Sequence, residues 1–392
     1  MNVTPSHQSS SANFRIVDLF AGPGGLDVAA DVLGIPSTGV EWDANACETR
    51  KRAGLKTLGE DVTKHGPACF PHANVLAGGP PCQTFSVAGN GVGREALDSV
   101  LEFTTRLAER KDRAKIDEDL KKMDVRTSLV LQPLRWVLDA LDTNELRPFE
   151  AIVLEQVQTV LPVWEAFGEV FEKNGYSVDT GILRTERFGV PQTRKRAILI
   201  ACRDGRRAYL PQPTHHPYRK DGGRQDSDFV LSKWVAMEDE LPALRSRGRF
   251  KVISNYGTGG DPKARGVRLS CEPSFTVTGK NSRNRVIMEN GEETRFSNQE
   301  AGRLQTFPDA YPWSGREIAQ QIGNAVPPRL GIHVLSAALG LAPPGDVEWK
   351  RLREWTPPIK GEELLTPCCG VPEQRQEPAG ELSTDGELAA GS

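Results

Sequence analysis

The run Asn74-Val75-Leu76-Ala77-Gly78-Gly79-Pro80-Pro81-Cys82-Gln83-Thr84-Phe85-Ser86 joins a short apolar stretch to a loop fixed by two glycines and two prolines. The apolar residues read as a buried strand, which puts the loop at that strand's C-terminal end. Open α/β sheets bind ligands and do chemistry at that edge. A structural cysteine needs no such rigid setting. A nucleophile does, because its sulfur must stay aimed while a substrate arrives. Cys82 is therefore the first candidate catalytic residue. The alternative is a small core hydrophobe, a common fate of free cysteine. The loop does not by itself lower a thiol pKa from about 8.5; that takes a nearby cation, a helix N-terminus or a substrate-linked step.

On either side of this run the sequence alternates strand and helix signals. Residues 14–20 read as a buried strand, 21–25 as a tight turn and 26–33 as a helix. Residues 37–41 and 45–53 repeat the pattern, and 149–154 and 197–201 are further apolar strands. Such alternation predicts an α/β fold with a doubly wound, mostly parallel sheet. Two segments interrupt it. Residues 95–123 are densely charged, with Leu97, Val100, Leu101, Leu107, Ile116 and Leu120 at helical spacing, so one or two inserted amphipathic helices are expected. Residues 204–295 are rich in Gly, Arg and turn formers, with short strand candidates such as 275–278, and read as a second, smaller domain. Residues 298–305 and 332–339 return to helix. Residues 13–203 and 296–342 thus form the main domain. The polar residues 1–12 read as a flexible N-terminus and 361–392 as a disordered tail.

The totals bound the function class. A chain of 392 residues suits two domains, or one large α/β domain with a smaller partner. Seven cysteines without a CxxC pair, and six histidines without ligand spacing, predict neither a disulfide scaffold nor a metal site. No apolar run nears the roughly 18 residues of a membrane span. The N-terminus lacks a signal-type apolar core, so a cytoplasmic location is expected. The net charge is −3, yet residues 243–303 carry twelve Lys/Arg against six Asp/Glu. A local basic surface can bind phosphate while the chain stays slightly acidic.

Several further residues carry candidate chemistry. The turn Asp18-Leu19-Phe20-Ala21-Gly22-Pro23-Gly24-Gly25 is a glycine loop at a strand end, suited to close approach of a ligand but not the GxGxxG form. Glu41 and Trp42 end the second strand. There a carboxylate can accept both hydroxyls of a ribose and an indole can stack on a purine; a solvated Glu beside a half-buried Trp is the plain alternative. Asp61-Val62 stands where a third strand would end. Glu155 follows four apolar residues, so partial desolvation would favour its protonated form and suit proton donation; an exposed strand-end carboxylate is the alternative. In Gln192-Thr193-Arg194-Lys195-Arg196, alternation puts Arg194 and Arg196 on one face, where both reach an anion or a carbonyl. Gln321-Ile322-Gly323-Asn324-Ala325-Val326-Pro327-Pro328 is a polar turn leading into a helix.

In this order the segments resemble the DNA (cytosine-5) methyltransferases of prokaryotic modification type. DLFAGPGG looks like the family's cofactor loop, GGPPCQTFS its nucleophile loop, and Gln192 to Arg196 its QxRxR strand. Arg303 to Pro308 resembles RLQxFP, and QIGNAVPP resembles the closing GNxVPP motif. The resemblance implies a Rossmann-like methyltransferase sheet and S-adenosylmethionine as cofactor. Asp18, Phe20, Gly22, Gly24, Glu41, Trp42, Asp61, Val62, Pro81, Asn324 and Val326 would line its pocket. Cys82 would attack C6 of a flipped cytosine while Glu155 engages N3, with Arg194 and Arg196 holding the base and the loop. Duplex DNA would be the partner, met by Gln83, Ser86, Arg126, Lys280, Arg283 and Arg285. Residues 204–295 would be the target-recognition domain, with the 279–285 segment reading bases or gripping phosphates.

The sequence departs from the family pattern in three places. Glu155-Gln156-Val157 replaces the usual Glu-Asn-Val. Asp124-Val125-Arg126-Thr127-Ser128-Leu129 lacks a glycine after its arginine, and the 95–123 insert lengthens the region expected to close over DNA. None removes a catalytic group. A transfer-RNA methyltransferase and a non-catalytic DNA-recognition protein are the other readings, although the family's RNA branch usually continues PPCQPFT where this chain has PPCQTFS. Nothing demands more than a monomer, and a cognate restriction endonuclease would lie outside this chain.

Overall fold

The computed structural model describes residues 13–81, 91–111, 113–122, 125–220, 223–257 and 265–358. Its centre is a seven-stranded sheet of order β3-β2-β1-β4-β5-β7-β6. The first half alternates β1 (Ile16–Leu19), α1 (Gly25–Val32), β2 (Ser37–Val40), α2 (Ala44–Arg52), β3 (Thr57–Leu58) and β4 (Val75–Gly78). Helices α3 (Gly91–Glu109), α4 (Arg113–Lys122), α5 (Val125–Leu129) and α6 (Gln132–Asp142) follow. The second half runs β5 (Ala151–Val157), α7 (Leu161–Lys173), β6 (Ser177–Arg184) and β7 (Lys195–Cys202). Strands β1 to β5 pair in parallel, and β7 runs antiparallel to both β5 and β6.

The central strands are buried on both faces and mostly apolar, with Asp18 in β1 and Glu155-Gln156 in β5 as the polar exceptions. Successive side chains alternate faces: Val75, Ala77 and Val153 join one cluster with Val28 and Ala29 of α1, while Leu76, Ile152 and Leu154 join Trp136, Trp164 and Phe167 on the other. The expected insert is helical, as α3 and α4. Val100, Leu107 and Ile116 are buried in the second of these clusters, so its helices form a packed layer of the main fold.

A four-stranded antiparallel sheet forms the smaller unit. It is preceded by α8 (Met237–Glu240) and α9 (Pro242–Arg245), and comprises β8 (Phe250–Gly257), β9 (Arg265–Leu269), β10 (Arg285–Met288) and β11 (Glu293–Thr294), in the order β11-β10-β8-β9. The chain then returns through α10 (Asn298–Leu304), α11 (Ile318–Asn324), α12 (Pro328–Leu339) and α13 (Asp346–Arg353). Phe250, Val252 and Val286 of the small sheet share an apolar cluster with Leu304, Phe307 and Trp313. The two units therefore have a continuous core.

Two expectations change. The strand expected at 149–154 runs from Ala151 to Val157, because β7 pairs along its full length, ending at Val157↔Arg196. Glu155 thus lies inside β5, one residue past the end of the parallel pairing Gly78↔Leu154. Residues 275–278 belong to neither sheet. Their polar groups are taken by another segment: Thr276 Oγ1 donates to the Thr193 carbonyl, and the Val277 amide donates to Gln192 Oε1. Among the described residues, no helix is long and apolar enough to cross a membrane.

Candidate active site

At the carboxyl ends of β1 and β2 the chain turns through left-handed backbone, with φ of 58° at Phe20, 54° at Gly22 and 104° at Gly24. Glycine at the last two removes the Cβ penalty of that conformation. Glu41 closes the turn from the neighbouring strand. Its Oε2 accepts the Gly22 amide at 2.8 Å, and its Oε1 accepts the amides of Trp42 at 2.9 Å and Asp43 at 2.8 Å. Burial pushes the Glu41 carboxyl up, opposed by these amides. A carboxylate has about four acceptor positions, so one remains, enough for one hydroxyl of a ribose rather than two. Trp42 is 65% exposed. A Cβ on Gly22 would meet nothing within 4 Å. An open acceptor, an uncovered indole and free space above the glycine turn fit a nucleoside-bearing cofactor.

The turn is fixed from below by a buried ionic cluster. Arg50 pairs with Asp27 at 2.6 Å, donates to Thr57 Oγ1 at 2.9 Å and reaches the Lys56 carbonyl. A Cβ on Gly39 would lie 2.1 Å from its Nη2, so only glycine leaves room for this guanidinium. Asp18 is buried beside Asp27, and desolvation followed by Asp27's charge raises its pKa well above the usual carboxylate range. Asp18 is therefore a buried support under the turn, packed against Asp27 rather than open to a ligand. In sequence, Arg50-Lys51-Arg52 resembles a solvated basic helix end, which hid the role of Arg50. Asp61 caps a short turn by accepting the Thr63 amide, with Val62 buried behind it. Val326 reaches the glycine loop: a Cβ on Gly25 would lie 2.1 Å from its carbonyl oxygen. Asn324 is exposed, and its amide oxygen accepts from Gln320.

One strand further along the sheet lies a second group. The Gly79 amide donates to the Leu19 carbonyl, and a Cβ on Gly79 would lie 3.5 Å from Glu155 Oε2. The start of the cysteine loop thus abuts the Glu155 carboxylate. Glu155 is buried, and Arg196 Nε lies 2.8 Å from its Oε1. Gln156 supports the same loop, because its amide nitrogen donates to the Pro80 carbonyl while its oxygen accepts the Val157 amide. The extra methylene relative to asparagine is accommodated. Pro81 is the last described residue of the loop. Cys82, Gln83 and Ser86 lie outside the described residues, as does the side chain of Arg126 in α5.

Arg194 and Arg196 differ in what they hold. Arg196 pairs with the Glu155 carboxyl group. Arg194 is buried and donates to the carbonyls of Val277, Gly323 and Ala325, tying together segments from distant parts of the chain. Gln192 and Gln305 reinforce this knot: Gln192 Nε2 donates to Gln305 Oε1 and the Leu304 carbonyl, and Gln305 Nε2 donates to the Ile322 carbonyl. In the small unit, Lys280 and Arg283 are exposed, while Arg285 is paired with Glu293.

The chain is similar to known proteins across most of its length. The family model described as "C-5 cytosine-specific DNA methylase" matches residues 14–108 and 145–339. The Type II methyltransferase M1.HphI of Haemophilus parahaemolyticus is 29% identical over 358 residues, covering 82% of this chain and 86% of that protein. The Type II methyltransferase M.AplI of Arthrospira platensis is 27% identical over 325 residues, covering 80% and 82%. Two solved structures share the fold. The S. pombe Dnmt2 methyltransferase has a TM-score of 0.55 at 17% identity, covering 83% of this chain and 98% of that one. The Entamoeba histolytica methyltransferase EhMeth has a TM-score of 0.53 at 14% identity, covering 84% and 98%.

Proposed function

This chain belongs to the C-5 cytosine-specific DNA methylase family, and from that premise we propose that it methylates C5 of a cytosine flipped out of a specific duplex DNA site, with Cys82 as nucleophile and S-adenosylmethionine as cofactor. When bound, the cofactor supplies an electrophilic methyl group. Glu41, Trp42 and the backbone around Gly22 would hold it. A thiolate cannot reach C6 inside a stacked duplex, so the base must leave the stack at a cost of a few kcal/mol.

The Cys82 thiolate forms the S–C6 bond, and Glu155 gives a proton to N3. The C5=C6 electron pair is thereby freed at C5 as an enamine. After methylation, the C5 proton leaves to solvent, the C5=C6 double bond re-forms as the thiolate is expelled from C6, and N3 returns its proton to Glu155. Arg196 holds Glu155 in place through this cycle. Arg194 acts at a distance, by joining the strand of Arg196 to the turn around Asn324.

The observation that carries this function is the Glu155 carboxylate, paired with Arg196 at 2.8 Å and set against Gly79 at the root of the cysteine loop. The Type II names of the relatives support a sequence-specific modification role, for which a restriction endonuclease is the matching partner. Covalent trapping tests it. The full chain and S-adenosylmethionine are incubated with duplex DNA carrying 5-fluorocytosine and run on a denaturing gel. Fluorine blocks the final elimination, so an adduct that disappears in Cys82→Ala is expected. A folded, cofactor-binding chain that gives no adduct with a pool of all short sites overturns the proposal.

A further inference from the structure

A cavity of about 480 Å³ opens between the start of β7 and the small sheet. Five cationic side chains line it, Arg184, Arg194, Lys195, Arg196 and Arg268, against a single carboxylate, Glu186. Most of these charges are already engaged. Arg194 holds three carbonyls, Arg196 holds Glu155, and Arg184 lies 3.7 Å from Glu186. Arg268, from β9, is different. Its guanidinium sits 4.1 Å from the Tyr218 ring centre and 5.1 Å from that of Phe275. Its Nε and Nη1 are buried without a hydrogen-bond partner among the described residues.

The surroundings hold this guanidinium mainly by its faces. Glu272 is bonded to its own neighbours: its Oε1 accepts the Tyr218 hydroxyl at 2.6 Å and its Oε2 accepts the Leu269 amide at 2.6 Å. Gly266 lies two residues from Arg268, so on the same face of β9. A Cβ there would lie 2.9 Å from the Phe275 ring, and its absence lets that ring pack beside Arg268. Aromatic contacts engage the cation's faces and leave its edge as the fork that matches a phosphate or carboxylate. Buried donors without an acceptor are costly. A net excess of cations around them favours an anion over the neutral edge of a base.

We propose that Arg268 grips a phosphate of the target DNA strand at the mouth of this cavity, beside Arg194 and Arg196, a positioning contact that does not read sequence. The proposal rests on the methylase function above. Arg285 of the same small sheet is, by contrast, paired with Glu293.

The test is equilibrium binding of the full chain, followed by fluorescence anisotropy over a range of salt concentrations. Two labelled duplexes are compared: the one that gives the covalent adduct and one of scrambled sequence. Arg268→Ala should weaken both by the same factor, about tenfold, and reduce the slope of log affinity against log salt by about 0.9. Arg268→Lys should recover the slope and part of the affinity. Neutral methylphosphonates, placed one at a time along the target strand, provide a readout on the unmutated chain. One position should weaken wild-type binding and have no effect on Arg268→Ala. A loss confined to the adduct-forming duplex with an unchanged slope means base readout and overturns the proposal, as does an absence of any sensitive phosphate. A wild-type chain that forms the adduct while Arg268→Ala binds normally overturns this inference alone. A wild-type chain that binds neither duplex overturns the methylase function itself.

Discussion

Arg196 Nε lies 2.8 Å from Glu155 Oε1 across the antiparallel pairing of β5 and β7. In that register Arg196 stands opposite Val157 and Ile198 opposite Glu155, so the two charged residues are diagonal neighbours on one face. The strand reversal at β7 creates this pair. Glu155→Gln keeps the shape but removes the proposed proton donor. It should lower the methylation rate about 100- to 10,000-fold while leaving duplex affinity nearly unchanged, measured by single-turnover methyl transfer beside anisotropy. An equal loss of binding would show that Glu155 anchors DNA rather than serving the chemistry.

Gln156 ties β5 to the cysteine loop through the Pro80 carbonyl. Gln156→Ala leaves that carbonyl and the Val157 amide without their partner. A cost of about 1–3 kcal/mol is expected, read as a lowered urea midpoint together with slower adduct formation. Gln156→Asn, one methylene shorter, should fall between the two. An unaltered adduct rate in Gln156→Ala would mean the loop is held elsewhere.

Arg50 and Asp27 form a buried pair beneath the glycine turn. Arg50→Met leaves Asp27 buried without its countercharge, and removing one partner of such a pair costs about 3–5 kcal/mol. Chemical denaturation measures this directly. Calorimetry with S-adenosylmethionine should show weaker binding in the same variant under conditions where it remains folded.

Trp42 exposes 65% of its surface at the turn. Trp42→Ala should therefore leave the melting temperature unchanged. It should weaken S-adenosylmethionine binding by about 1–3 kcal/mol if the indole stacks on the adenine. Cofactor-dependent quenching of tryptophan fluorescence should shrink with it.

Burial lowers the pKa of two histidines, His215 to about 4 and His333 to about 3, with the Arg329 charge adding to the effect. The unfolded chain then binds protons more readily than the folded one as pH falls below about 6.5. The stability of the neutral folded forms is complete above that value. It declines through pH 6.5 to about 4 for His215, and on to about 3 for His333. His333 packs against Phe188 and Trp349, so His333→Leu should flatten the acid limb of a stability–pH curve. A curve of unchanged slope would assign acid sensitivity to other groups.

The sequence by itself determined the α/β alternation, because strand and helix periodicities are local and the apolar runs at 75–77 and 197–201 have no solvent-facing side. It also singled out Glu41, Glu155 and the 192–196 segment as candidates, since Gly, Pro and charge beside apolar runs mark strand boundaries. Only the tertiary structure decided what those residues touch. Glu155 entered the interior of β5 because a strand more than forty residues later pairs antiparallel with it. Residues 275–278 left the small sheet because Gln192 and Thr193 took their hydrogen bonds. Arg50 and Arg268 carry no local signal, as a lone arginine in a basic stretch looks solvated until distant side chains enclose it. Desolvation and pairing depend on neighbours far apart in sequence, and those neighbours are set by the packing of the whole chain.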